Sequence, residues 1–236
     1  MFAFAFVWPW IGLGAAGLLL ILLTTNALRS DRSVTRWRDM TWLTWAATCA
    51  YLVHQFEEHG IDAQGTAYAF RGTMCAQLGL GDPKTCTVPY SFITVVNVCL
   101  VWVAGPLSAL LAARWPVIGL SLFAVPFANL VPHVVPAVMT STYNPGLVTA
   151  LVLFLPLSLI AFAAAMTRYH LGFRAVLATV VAGLALHVIM VGSLLGYLRG
   201  SIGLDVLLAI QIVNPLLSAL IVIVGAGRRS VRRFAT

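Results

Sequence analysis

Charge is what this chain lacks. Only 9% of its 236 residues are charged, against about 25% in a soluble domain, while 61% are hydrophobic and the mean hydropathy is +0.96. An ordinary water-soluble fold is excluded, and an integral membrane protein remains. Lysine is almost missing as well: Lys84 is the only one among fourteen basic residues, and the rest are arginines gathered between or after apolar segments. The net charge of +7 therefore fits a membrane surface better than a nucleic acid, and no base-reading or base-stacking motif accompanies it. No protein partner is identifiable. Glutamate is scarcest in proportion to what it does: Glu57 and Glu58 are the only two, side by side in the stretch HQFEEHG, with two of the five histidines.

The apolar sequence divides into seven spans of about 20 residues, the length a bilayer core requires. They run from about Phe6 to Leu23, Thr41 to His59, Tyr90 to Ala113, Pro116 to Met139, Gly146 to Met166, Arg174 to Tyr197 and Ile202 to Gly225. The expected fold is all-α, a polytopic helical bundle forming a single transmembrane domain over 1–236. The first span lacks a basic leader and a small-residue cleavage site, so it reads as a retained helix. With seven spans, Arg29, Arg32, Arg36, Arg38, Arg114, Arg168, Arg174, Arg228, Arg229, Arg232 and Arg233 fall on one side, and only Arg71, Lys84 and Arg199 on the other. The positive-inside rule then places the N-terminus outside and the C-terminus in the cytoplasm, in a prokaryotic-type plasma membrane.

One connection is long, from about 60 to 89, and this topology puts it outside. Loops of that length are usually functional lids or disordered; Tyr68, Phe70, Met74 and Leu78 suit a cover over a site. Cys75 and Cys86 lie in it, where oxidation is permitted, and a disulfide between them is expected, with two free thiols as the alternative. GLGAAG at 12–17 matches the dinucleotide fingerprint by letter only, because no strand precedes it. Small residues for close helix packing explain it.

Helical rise brings the remaining polar residues together. His54 lies about 20 Å and Glu58 about 25 Å along the second span. Asn129 and His133 lie at about the same two depths in the fourth span, and His187 at about 20 Å in the sixth, all three spans running the same way. His54, Glu57 and Glu58 share or adjoin one helix face. His59 is about 140° from His54 around the helix and reads as facing the loop or water. Each glutamate costs roughly 2.5–3.5 kcal/mol at mid-membrane, and two adjacent carboxylates do not both ionise there without compensation. A bound cation or a retained proton provides it; the plain alternative is a hydrogen-bonded knot with the glutamates reaching outward.

These residues resemble the HXXEE family of small integral membrane proteins. The motif stands here as His54-Gln55-Phe56-Glu57-Glu58, followed in order by an NxxxH at Asn129–His133 and a YxPG at Tyr143–Gly146. The resemblance implies a membrane-embedded, metal-dependent hydrolase without fixing a substrate. HxxEE also has the helical spacing of the inverted zinc signature HxxEH. On that analogy His54 and Glu58 are metal ligands, His133 completes the set, and Glu57 is the general base toward water. Asn129 orients a ligand or polarises a carbonyl, and Tyr143 donates to a developing oxyanion or anchors at the interface. His187 is either a further member or a hydrogen-bonded core histidine. The cofactor expected is a divalent metal, zinc first, then iron or manganese; the partner is a lipid or lipid-like substrate. Two other readings stay open. One is metal-free acid–base isomerisation of an isoprenoid or sterol-like lipid, in a cavity lined by Trp42, Trp45 and Trp102. The other is transport of a proton or divalent cation, against which the inner halves of the spans show almost no polar trail.

Overall fold

The computed structural model of the protein describes residues 2–227. Arg228, Arg229, Arg232 and Arg233, which weigh in the charge asymmetry, lie outside the described residues. Among those described there is no strand, only an isolated bridge between Ile61 and Ala67. The helices are α1 (Phe2–Thr24), α2 (Met40–His59), α3 (Ala69–Gln77), α4 (Tyr90–Ala112), α5 (Pro116–Thr140), α6 (Leu147–Thr167), α7 (Gly172–Leu198) and α8 (Leu204–Ala226).

Six of these, all but α2 and α3, are long and apolar enough to cross a membrane. They make this an integral membrane protein. Their bounds fall within a few residues of those expected, but the sequence expects seven spans and α2 is not among the six. The reason is its position. Seventeen of its twenty residues are buried, so α2 is the axis of the bundle and its side chains answer to other helices rather than to lipid. α1, α4, α5 and α6 pack around it.

Small residues set how closely they pack. Gly105 of α4 and Gly119 of α5 sit against Thr48 and Thr44, where a Cβ would come within 2.9 and 2.7 Å of the hydroxyls. Both threonines return their own hydroxyls to carbonyls one turn back, which removes a polar group from an apolar seam. The GLGAAG stretch lies inside α1, and Ala16 is buried with its carbonyl against Cys49 Sγ at 3.3 Å. Asp39 caps α2, accepting from the amides of Thr41 and Trp42, and the Tyr169 hydroxyl accepts from Met40 N at 2.9 Å.

Proline shapes the helices that carry the site. A proline has no N–H for the carbonyl four residues back. α4 widens to a π-turn over Val98–Val103, just before Pro106, and α6 does so over Ala150–Phe154, just before Pro156. α5, with Pro126, Pro132 and Pro136, is interrupted at Phe123 and Asn129. Asn129 therefore stands where the helix restarts. The 60–89 connection is ordered: α3 lies within it, Cys75 and Cys86 are joined by a disulfide, and Arg71 stacks on Tyr90 at 4.2 Å while donating to the carbonyls of Val88 and Cys86.

Candidate metal centre

Three side chains from two helices converge in the described bundle. His54 and Glu58 stand one turn apart on α2, and His133 reaches across from α5. Glu58 Oε1 is 3.5 Å from His54 Nε2 and 3.3 Å from His133 Nε2. The three atoms all lie within 4.8 Å of one another, and all three residues are buried.

Hydrogen-bond logic sets the histidine tautomers. Asn144 donates its amide nitrogen to the His133 carbonyl at 2.8 Å, so its oxygen, 2.9 Å from His133 Nδ1, is the acceptor there. His133 then carries its proton on Nδ1. The Thr149 hydroxyl donates to Glu57 Oε2 and lies 2.7 Å from His54 Nδ1, from which it accepts. His54 also is protonated on Nδ1. Both Nε2 atoms thus present lone pairs to the Glu58 carboxylate. Three acceptors facing one point repel unless a cation, shared protons or a neighbouring donor lies among them.

Asn129 closes the group from the α5 break. Its amide nitrogen is placed 2.8 Å from His54 Nε2 and 3.4 Å from His133 Nε2, and its oxygen 3.3 Å from His187 Nε2. His187 Nδ1 donates to the Gly183 carbonyl at 2.8 Å, which leaves Nε2 a lone pair, so His187 lies beside Asn129 without donating to its oxygen.

Glu57 is placed differently from its expected role as a base. Its oxygens accept from Tyr143 Oη at 2.9 Å, Val148 N at 3.1 Å, Thr149 N at 2.8 Å and the Thr149 hydroxyl. The two amides belong to the first turn of α6, where N–H groups have no partner within the helix. Glu57 therefore caps α6 and fixes Thr149, which in turn fixes His54. Tyr143 Oη, besides donating to Glu57, accepts from Ala63 N at 3.0 Å, so its hydroxyl is engaged away from the three converging atoms. Partial burial, then the Glu57 carboxylate it donates to, push its phenol above the ordinary tyrosine value.

His59 does not face water. It is buried, with Nε2 3.3 Å from Glu58 Oε2 and 3.2 Å from Asn97 Nδ2. Behind it runs a chain: Trp102 Nε1 donates to Gln55 Oε1 at 3.2 Å, and Gln55 Nε2 donates to Asn97 Oδ1 at 3.0 Å. Phe70 of α3 covers His59, its ring 4.8 Å away. Trp42 donates to the Leu23 carbonyl at the far end of α2, and none of Trp42, Trp45 and Trp102 lines the cavity beside the centre. Gly146, with φ +94°, turns the chain between α5 and α6 tightly against the site: a Cβ there would lie 2.5 Å from His133 Cε1 and 2.8 Å from His54 Cε1. Of these, Thr149, Asn144, His59 and Gln55 escape a reading of the sequence, although Asn144 and Gln55 occupy unspecified positions of the motifs themselves.

Residues 45–161 match the model of a family described as a protein of unknown function with HXXEE motif. No curated protein and no solved structure matches the chain. The matched stretch holds His54–Glu58, Asn129–His133 and Tyr143–Gly146 together, and through it the chain belongs to the HXXEE-motif family.

Proposed function

We propose that this protein is a membrane-embedded, metal-dependent hydrolase acting on a lipid or other membrane-associated substrate. The observation that carries the proposal is the convergence of Nε2 of His54, Nε2 of His133 and Oε1 of Glu58. In a tetrahedral site with bonds of about 2.0–2.2 Å, ligand atoms are about 3.3–3.6 Å apart. The two separations of 3.5 and 3.3 Å meet that requirement. Two imidazoles and one carboxylate suit zinc, and also iron or manganese. A metal held there supplies Lewis acidity and lowers the pKa of water.

The other residues have separate tasks. Thr149 and Asn144 hold the two imidazoles with Nε2 inward, as outer hydrogen-bond partners of metal-binding histidines do. Asn129 faces the cavity beside the centre with its amide nitrogen toward the imidazoles, ready to bind a ligand or donate to a substrate carbonyl. With Glu57 bound to Tyr143 and to α6, and Tyr143 also to Ala63 N, the proton acceptor in this reading is Glu58 Oε2 backed by His59. The test is hydrolysis of ester, amide and phosphoester lipids by purified protein, abolished by chelator and restored by metal. Turnover unaffected by full metal removal refutes the proposal.

The same reading takes α2 as the seventh span, with the N-terminus outside and the C-terminus in a prokaryotic-type cytoplasm. The arginine asymmetry supports it, and so does a disulfide on the arginine-poor side. Thiol labelling of a cysteine placed at Lys84 in intact cells checks it; labelling from the cytoplasmic side only refutes it. One observation favours a second reading, metal-free acid–base isomerisation: the Glu58–His59 pair would shuttle a proton without a metal. Metal content separates the two. Cation transport gains no support from the cavity, whose innermost lining residues are Tyr51, Leu100, Val125 and Leu186 and beyond which lies a pocket of only about 10 Å³.

A further inference from the structure

Beside the candidate centre lies a cavity of about 240 Å³. Glu58, His133, Asn129 and Asn144 stand along one wall. Opposite, Ile93 and Val96 of α4 and Met190 and Leu194 of α7 are apolar, and Met74 of α3 and Leu78 just after it roof the cavity. From Leu186 to Leu194 the lining of α7 extends about 12 Å and is apolar but for His187. The cavity is smaller than the roughly 300–1,000 Å³ of a typical ligand pocket, so it has room for one hydrocarbon chain and not two.

The way in is sideways. α5 and α7 touch at Gly183, where a Cβ would lie 2.7 Å from the Cβ of Ala128. On the side of that contact toward α3, Pro132 of α5 and Val191 of α7 both line the cavity and are exposed. Val131, Val135 and Val188 beside them are exposed too. An opening rimmed by valines on apolar helices gives onto lipid chains rather than water.

We infer that the cavity takes a single-chain amphiphile, which slides in between α5 and α7 with its tail along α4 and α7 and its hydrolysable polar end at Glu58 and His133. Two chains do not fit inside it together. The inference rests on the metal-centre reading, and its test separates the two. The probes are alkyl hydroxamates, from acetohydroxamate to decanohydroxamate, added to the cobalt-loaded full-length protein in detergent. Binding is read from the cobalt absorption spectrum, against free aqueous probe, so that probe dissolved in micelles does not register.

Affinity is expected to tighten about fourfold per methylene until the cavity is full, then level off. Met190→Trp and Val96→Phe, which fill the cavity from α7 and from α4, should keep the acetohydroxamate affinity within about twofold and level off several carbons earlier. An affinity independent of chain length, or a rise that continues unchanged in both variants, overturns the chain site and leaves the metal centre standing. A protein that takes up no cobalt, or holds cobalt that acetohydroxamate does not perturb, overturns both.

Discussion

Adding one methyl group at Gly146 tests whether the α5–α6 turn is part of the centre. Its φ of +94° is unfavourable for an L-residue, and the new Cβ would lie 2.5 Å from His133 Cε1, 2.8 Å from His54 Cε1 and 3.0 Å from Glu58 Cγ. Carbon atoms settle at about 3.5–4.0 Å, so in Gly146→Ala both imidazoles must retreat by roughly 1 Å. The backbone term costs about 1–2 kcal/mol and overpacking about 1–3 kcal/mol. Together these lower the thermal midpoint by roughly 5–20 °C. A binding constellation tolerates about 0.5 Å of displacement, so metal affinity is expected to fall at least about 100-fold, measured by competition with a chelator. Gly200→Ala separates the two terms: its φ is +73° with nothing within 4 Å, so it should carry the backbone cost and leave metal affinity intact. Wild-type metal affinity in Gly146→Ala would refute the reasoning.

Asn144→Leu and Thr149→Val release the Nδ1 atoms of His133 and His54 in turn, and each should weaken metal binding about 10–100-fold in the same competition assay, with helical content unchanged. Replacing Cys75 and Cys86 by serine opens a cross-link between residues 11 apart, worth about 2–3 kcal/mol on a loop-closure basis; the midpoint should drop, and reductant should then have no further effect. Two groups outside the spans give a pH dependence. Asp31 is held well below the ordinary carboxylate range, first by hydrogen bonds from Ser33 and then by Arg168, so its contribution is complete above about pH 4 and declines as pH falls below that. Asp31→Asn should remove this acid component from the midpoint-against-pH curve. Tyr143 is raised, so its contribution is complete below about pH 10 and is lost only as pH rises further. Tyr143→Phe should flatten the alkaline limb.

Class, helix bounds and the meeting of His54, Glu58, Asn129, His133 and His187 are legible in the sequence because each follows from apolar run length and a fixed rise per residue. What is not legible depends on which helix end abuts which side chain. Glu57 and Glu58 look interchangeable in the motif, yet Glu57 meets the unpaired amides of α6 and Glu58 meets two imidazoles. The difference is one helical step of 100°, decided by where α6 begins. His59 reads as facing outward on an isolated helix; Phe70 and Asn97 enclose it only once the loop folds back. α2 falls outside the apolar spans for a related reason, since a helix buried among others needs no lipid-compatible surface.

The most direct measurement is elemental analysis of protein purified in detergent without chelator, for wild type, Glu58→Ala and His133→Ala. The account expects about one zinc, iron or manganese per wild-type chain, lost in both variants. A folded wild type that contains no metal and takes up no added zinc would contradict it.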